Sequence, residues 1–295
     1  MNIQLLIVDP QKDFCIADDG AGHKGTLVVP GADKDMGRMA AMIRRIRPKL
    51  GHIHVTLDSH QTVGIERPRW WVRVSDHAHA APFTILGIHP DGKRIVKFTA
   101  DATGLHPTDE EYTTYKPSML HNGGPTGKGA FGYLEALAAK GRYPHVVWPE
   151  HCIVGTWGWS IVDDLAAALH DWEWNEFGRV NYITKGNNPW TEHFSGVQAE
   201  VPDPADPSTQ VNTGLISTLE TADIILFGGE ALSHCDANTG RDIIKNFSDP
   251  SYAKNLTFLM DTMSNVPGFE FMGDAFVKEM KAAGAQFSTS TEILA

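Results

Sequence analysis

A cysteine follows an apolar run and a pair of glycines: Ala222-Asp223-Ile224-Ile225-Leu226-Phe227 leads into Gly228-Gly229-Glu230-Ala231-Leu232-Ser233-His234-Cys235. A strand that ends in glycines and delivers a thiol to the start of a helix leaves that thiol exposed at the strand's carboxyl end. The positive end of the helix favours its thiolate. Other polar side chains stand at comparable places. Asp9 ends the run Ile3–Val8, Asp58-Ser59-His60 ends His52–Leu57, Lys185 ends Arg179–Thr184, and Trp148-Pro149-Glu150-His151-Cys152 closes a short run from His145. Each has an ordinary explanation when taken singly. An Asp after a strand forms turns or caps, a Lys before Gly is solvated, and a Cys packs as a small apolar residue. Their recurrence at successive strand ends is harder to explain by chance.

The elements that must position these residues alternate. Ile3–Val8, His52–Leu57, His145–Trp148, Arg179–Thr184, Asp223–Phe227 and Leu256–Asp261 read as strands, with Phe287–Thr289 as a last short one. Asp33–Ile46, Ile161–Leu169, Asn212–Glu220, Ala237–Lys245 and Asp274–Ala283 have helical spacing. Strand–helix alternation predicts an α/β fold of three layers, a mostly parallel central sheet with helices on both faces. Functional residues in such sheets lie outside the carboxyl ends of the strands. Residues 61–144 break the rhythm with many Pro, Gly, His and Tyr. They read as an insertion between the second and third strands, a β-rich lid or subdomain ending in a helix over Ala130–Lys140. Residues 1–295 read as a single domain with that insertion within it. Ala199–Thr209 reads as a surface loop.

Composition excludes several classes. A formal charge of −11 over 295 residues argues against nucleic-acid binding. No apolar run is long enough to cross a bilayer. Met1–Val8 reads as a strand rather than a secretory leader. Three scattered cysteines fit a reducing compartment. The expectation is a cytoplasmic protein with no nucleic-acid or membrane partner.

Five segments, in order, resemble the nicotinamidases and the wider isochorismatase-like cysteine hydrolases. They are Ile7-Val8-Asp9-Pro10-Gln11-Lys12-Asp13-Phe14-Cys15, Asp58-Ser59-His60, the stretch Trp148 to Gly158, Lys185, and Gly229 to Cys235. The resemblance spans the chain apart from the insertion. It implies a catalytic triad of Asp9, Lys185 and Cys235, with Asp9 the proton acceptor and Lys185 stabilising the thiolate and the carboxylate. It implies a cis Glu230–Ala231 peptide and an oxyanion hole formed by the amides of Ala231 and Cys235. It further implies one divalent metal on Asp58, His60 and His151, a donor set that suits zinc, with iron or manganese as alternatives. Phe14 and Trp148 match the aromatic residues that hold a planar substrate.

The implied activity is hydrolysis of a small amide through a thioester, nicotinamide to nicotinate and ammonia first. The alternatives are another amide such as a carbamoyl or ureido compound, or a non-catalytic metabolite-binding relative. Homo-oligomers are common in this superfamily, and one is expected here. Asp236 departs from the family pattern, because an acid beside the thiol opposes the thiolate unless it caps the helix. Glu66 stands where some relatives place a further ligand, although a surface position is the simpler reading. Glu192 and His193 could reach the site from the loop after Lys185, although a solvated loop is the simpler reading.

Overall fold

The computed structural model describes residues 1–99, 112–118 and 123–294. Parts of the inserted region, 100–111 and 119–122, lie outside the described residues. β1 (Ile3–Val8) is buried throughout. Its odd residues Ile3, Leu5 and Ile7 enter one apolar cluster, and Leu6 and Val8 enter another on the opposite face. A strand covered on both faces must be apolar continuously rather than alternately, which is why this run is so plain in the sequence. A single turn, α1 (Lys12–Cys15), follows, then α2 (Ala32–Ile46) and β2 (Leu50–Asp58).

The next elements form a separate sheet. β3 (Trp71–Arg73), β4 (Ile85–Ile88), β5 (Ile95–Lys97) and β6 (Thr113–Pro117) precede the helix α3 (Gly129–Lys140) and β7 (His145–Val146). The strands lie in the order β3-β6-β5-β4-β7, every pairing antiparallel. β7 therefore corrects the expectation of a third strand in the central sheet. Ile85 and Leu86 of β4 pair with Val146 and His145 instead. Two residues of apolar sequence do not distinguish the two sheets, because either gives them a buried place.

The chain then returns to the central sheet through α4 (Asp163–Glu176) and β8 (Asn181–Lys185). α4 continues past the periodic stretch ending at Leu169, through polar residues, because Trp172 still packs inward. α5 (Thr213–Leu219), β9 (Ile224–Glu230), α6 (Ala237–Asn246), β10 (Leu256–Ser264), α7 (Glu270–Ala282) and β11 (Gln286–Ser288) complete the chain. The central sheet has the order β11-β10-β9-β1-β2-β8, and all of its pairings are parallel. α2 and α4 cover one face, and α5, α6 and α7 the other, giving three layers. The Ala199–Thr209 loop is tied down at both ends, since Ala199, Glu200 and Thr209 are buried. Among the described residues no helix is long and apolar enough to cross a membrane.

The topology fixes where chemistry can occur. From β1 the chain builds outward to β2 and β8, then returns to place β9 on the other side of β1. Ligands bind at such a switch point, outside the carboxyl ends of the strands. β9, β1, β2 and β8 are consecutive neighbours, so the residues at or just beyond their carboxyl ends form one row.

Candidate active site

That row is Cys235, Asp9, Asp58 and Lys185. The Lys185 ammonium reaches across it, with Nζ 2.8 Å from Asp9 Oδ2 and 3.7 Å from Cys235 Sγ. It also donates to Asp58 Oδ1 at 3.1 Å and to the His193 carbonyl at 3.0 Å. Asp9 is held from β2, where the Thr56 hydroxyl donates to its Oδ1 at 2.6 Å. Cys235 sits in one π-helical turn, Leu232–Asp236, that joins β9 to α6. The Ala231 carbonyl accepts from the amides of His234 at 2.9 Å and Asp236 at 3.2 Å, and the Glu230–Ala231 peptide is cis.

The electrostatics differ from the expectation of an exposed thiolate. Cys235 is 8% exposed. Burial pushes its thiol well above the usual range, and Lys185 opposes this only in part. Burial also raises Asp9, again against Lys185. Burial disfavours the charge on Lys185 too, but Asp58 and Asp9 outweigh it and hold the ammonium firmly protonated. The resting site is thus a thiol, a basic carboxylate and a fixed cation between them. Asp236 does not cap α6. Both of its carboxyl oxygens are buried without a hydrogen-bond partner among the described residues. Burial, with Asp9 and Asp35 adding to it, keeps Asp236 well above the usual carboxylate range. That shift favours its neutral form and weakens the opposition of Asp236 to a thiolate at Cys235.

Asp58, His60 and His151 form a buried cluster whose ligand atoms lie within 4.8 Å of one another. Asp58 Oδ2 is 2.8 Å from His60 Nε2 and 3.2 Å from His151 Nε2. Burial and then Arg67 push His151 down to about 4, leaving a neutral imidazole with a lone pair to give. Burial works against charge on His60, yet Asp58 pushes it up to about 9. The cluster therefore favours a positive charge beside Asp58, and its N, N, O donor set fits a divalent metal. Gln11 fixes Asp58 from both sides, donating to its carbonyl and accepting from its amide, each at 2.7 Å. Asp13 Oδ2 accepts from the Cys152 amide at 2.7 Å and so holds the loop that carries His151.

A pocket of about 460 Å³, counting its open mouth, lies over both groups. Phe14, Asp58, Trp148, His151, Lys185, Ala231 and Cys235 line it, while Asp9 and His60 lie behind this wall. The second sheet contributes to it through backbone contacts: the Trp148 amide donates to the Glu66 carbonyl at 2.8 Å and that of Val147 to Thr84 at 2.9 Å. Glu192 and His193 are buried and line the pocket, correcting the expectation of a solvated loop. Glu66 is likewise buried rather than on the surface, with Oε1 3.3 Å from His60 Nδ1. His234 also lines the pocket, boxed by the rings of Tyr143, Trp148, Phe194 and Phe269. Only its place beside Cys235 pointed to it in the sequence.

No protein-family model matches the chain, and no curated protein matches it significantly. Solved structures do. The chain is similar to a nicotinamidase/pyrazinamidase of Acinetobacter baumannii, with TM-score 0.59 and 18% identity over 99% of this chain and 98% of that one. It is similar to the yeast nicotinamidase bound to the inhibitor nicotinaldehyde, with TM-score 0.56 and 16% identity over 97% and 99%. A third likeness is to a Pyrococcus horikoshii pyrazinamidase in complex with zinc, with TM-score 0.52 and 18% identity over 98% and 99%.

Proposed function

We propose that this chain, which has the fold of the nicotinamidases and isochorismatase-like hydrolases, is a metal-dependent cysteine amidase acting on a small amide, with nicotinamide the first candidate. The observation that carries this reading is Lys185 Nζ, 2.8 Å from Asp9 Oδ2 and 3.7 Å from Cys235 Sγ, on the wall of a pocket with a largely apolar lining. In the first half-reaction Asp9 takes the thiol proton as Cys235 Sγ bonds to the amide carbon. The amide C–N bond then breaks, and the same proton leaves with ammonia. In the second half Asp9 takes a proton from water, whose oxygen bonds to the thioester carbon. The C–S bond breaks, the carboxylic acid is released, and Asp9 returns the proton to the sulfur, restoring the thiol. Lys185 balances the negative charge as it moves between oxygen and sulfur. The amides of Ala231 and Cys235 are assigned to the developing oxyanion.

Asp58, His60 and His151 are the residues that would hold the metal. When bound it supplies Lewis acidity and an anchor for a heterocyclic donor atom of the substrate. The rings of Phe14 and Trp148 are assigned to the faces of that heterocycle. The apolar lining supports a small planar substrate. Glu192, His193 and His234 in the same pocket favour a second reading within the class, an amide with an additional polar group such as a carbamoyl or ureido compound.

The test is ammonia release from a panel of nicotinamide, pyrazinamide, carbamoyl and ureido compounds, with metal stripped and restored. Nicotinamide turnover that needs the metal is expected. Turnover of ureido compounds alone transfers the assignment to the second reading. No turnover, with Cys235 labelled by a thiol reagent no faster than Cys15 or Cys152, indicates a non-catalytic relative.

A further inference from the structure

Arg67 is fully buried at the start of the inserted segment. Its guanidinium donates to the Pro149 carbonyl at 2.7 Å and to the His151 carbonyl at 3.1 Å, and its Nη1 lies 3.0 Å from His151 Nδ1. Its Nε is 3.1 Å from Glu66 Oε1, and that same oxygen is 3.3 Å from His60 Nδ1. One planar group thus holds both the Pro149 carbonyl, which lies 2.8 Å from His151 Nδ1, and the Glu66 oxygen that faces His60. Both contacts are on the Nδ1 edges. The opposite atoms, Nε2 of each ring, are the ones that face Asp58 Oδ2.

An imidazole whose Nδ1–H meets an acceptor has its ring orientation fixed and keeps its lone pair on Nε2. For His151 that acceptor is the Pro149 carbonyl at 2.8 Å, which Arg67 also holds, and His60 Nδ1 faces Glu66 Oε1. We propose that Arg67 and Glu66 act as one positioning pair for the metal centre, orienting the rings of His151 and His60 so that both Nε2 atoms converge. This rests on the reading of Asp58, His60 and His151 as metal ligands. Glu66 is a bridge and not a ligand: it lies outside the group of ligand atoms that approach one another, and its Oε1 is shared by Arg67 and His60. Each member also needs the other, since a buried guanidinium without its carboxylate is an uncompensated charge. Lysine cannot replace Arg67 fully, because a single ammonium does not reproduce the fork that reaches Pro149, His151 and Glu66 together.

The experiment uses the full chain, stripped of metal, beside Arg67→Gln, Arg67→Lys and Glu66→Gln. Each is titrated with zinc against a chromophoric chelator, and with cobalt(II), whose visible spectrum reports the ligand arrangement. Arg67→Gln and Glu66→Gln are expected to bind zinc about 10- to 100-fold more weakly, with altered cobalt spectra, and Arg67→Lys to fall between them and the parent. If Arg67→Gln does not fold, as judged by circular dichroism of the metal-free protein, Arg67→Lys and Glu66→Gln decide the matter. Folded variants with affinity within about threefold of the parent and unchanged cobalt spectra overturn the proposal. So does a changed spectrum for Glu66→Gln beside a parental one for Arg67→Gln, which would make Glu66 a ligand. A parent chain that binds neither metal refutes the metal reading itself, and is thereby distinguished from a failure of the positioning pair alone.

Discussion

Lys185 donates a hydrogen bond to Asp58 at 3.1 Å, which joins the cation beside Cys235 to the carboxylate between the two histidines. The Asp9–Lys185–Cys235 group and the Asp58–His60–His151 cluster are therefore one electrostatic unit. The negative charge of Asp58 is among the influences that raise the Cys235 thiol, after burial itself and Asp9.

A cation bound by Asp58 offsets that charge and leaves more of Lys185 to the sulfur. Cys235 is expected to react with iodoacetamide several-fold faster in zinc-loaded protein than in stripped protein at pH 8. Peptide mass spectrometry of alkylated Cys235 measures it. Equal rates would separate the two sites energetically.

Lys185→Met removes the shared cation and leaves Asp9 and Asp58 facing each other in a buried site. A loss of about 3–5 kcal/mol in urea unfolding is expected near neutral pH. Part of it should return as pH falls and carboxyl protonation relieves the repulsion. Amide turnover should fall at least about 10²-fold.

Four buried imidazoles set an acid limit on stability. Burial pushes His54 and His145 down to about 4 and His193 and His234 down to about 3, against about 6.5 in an unfolded chain. Between these values the unfolded state binds protons that the folded state does not. The stabilisation is complete above pH 6.5 and is lost as pH falls toward 4, by up to about 1.4 kcal/mol per pH unit for each ring. His54 lies away from the site, between Gln4 and Asn181. His54→Gln should make the acid limb of the stability–pH curve shallower, and an unchanged slope would contradict this.

Gly186 follows Lys185 with φ +81°, and a Cβ there would stand 2.9 Å from both Asp58 Oδ1 and the His60 ring. Gly186→Ala strains a left-handed backbone and pushes on two proposed ligands at once. Weaker zinc binding by about tenfold is expected, with a stability loss of about 1–2 kcal/mol. Parental zinc affinity would show that Asp58 and His60 tolerate displacement.

The sequence carried the central sheet plainly where strands are covered on both faces, as with Ile3–Val8 and Ile224–Phe227. It also carried the strand-end residues Asp9, Asp58, Lys185 and Cys235, because the turns that present them are short. It did not reveal that His145–Val146 belongs to the second sheet, since that partner, Ile85–Leu86, is fixed by long-range pairing alone. Nor did it reveal the burial of Glu66, Arg67, Glu192 and His193. Charged residues in a Pro- and Gly-rich stretch read as solvated, and only the tertiary partners of such groups remove them from water. The mismatch at Asp236 is smaller in three dimensions, because burial raises the carboxyl and favours its neutral form.

The central claim is that Cys235 carries the acyl group during amide hydrolysis. The direct measurement is mass spectrometry of zinc-loaded protein, mixed with nicotinamide, quenched in acid within a turnover and digested. The account predicts a nicotinoyl thioester on the peptide bearing Cys235, absent from Cys235→Ala, which releases no ammonia. Turnover that persists in Cys235→Ala, or turnover by the parent without an adduct on Cys235 at any quench time, would contradict it.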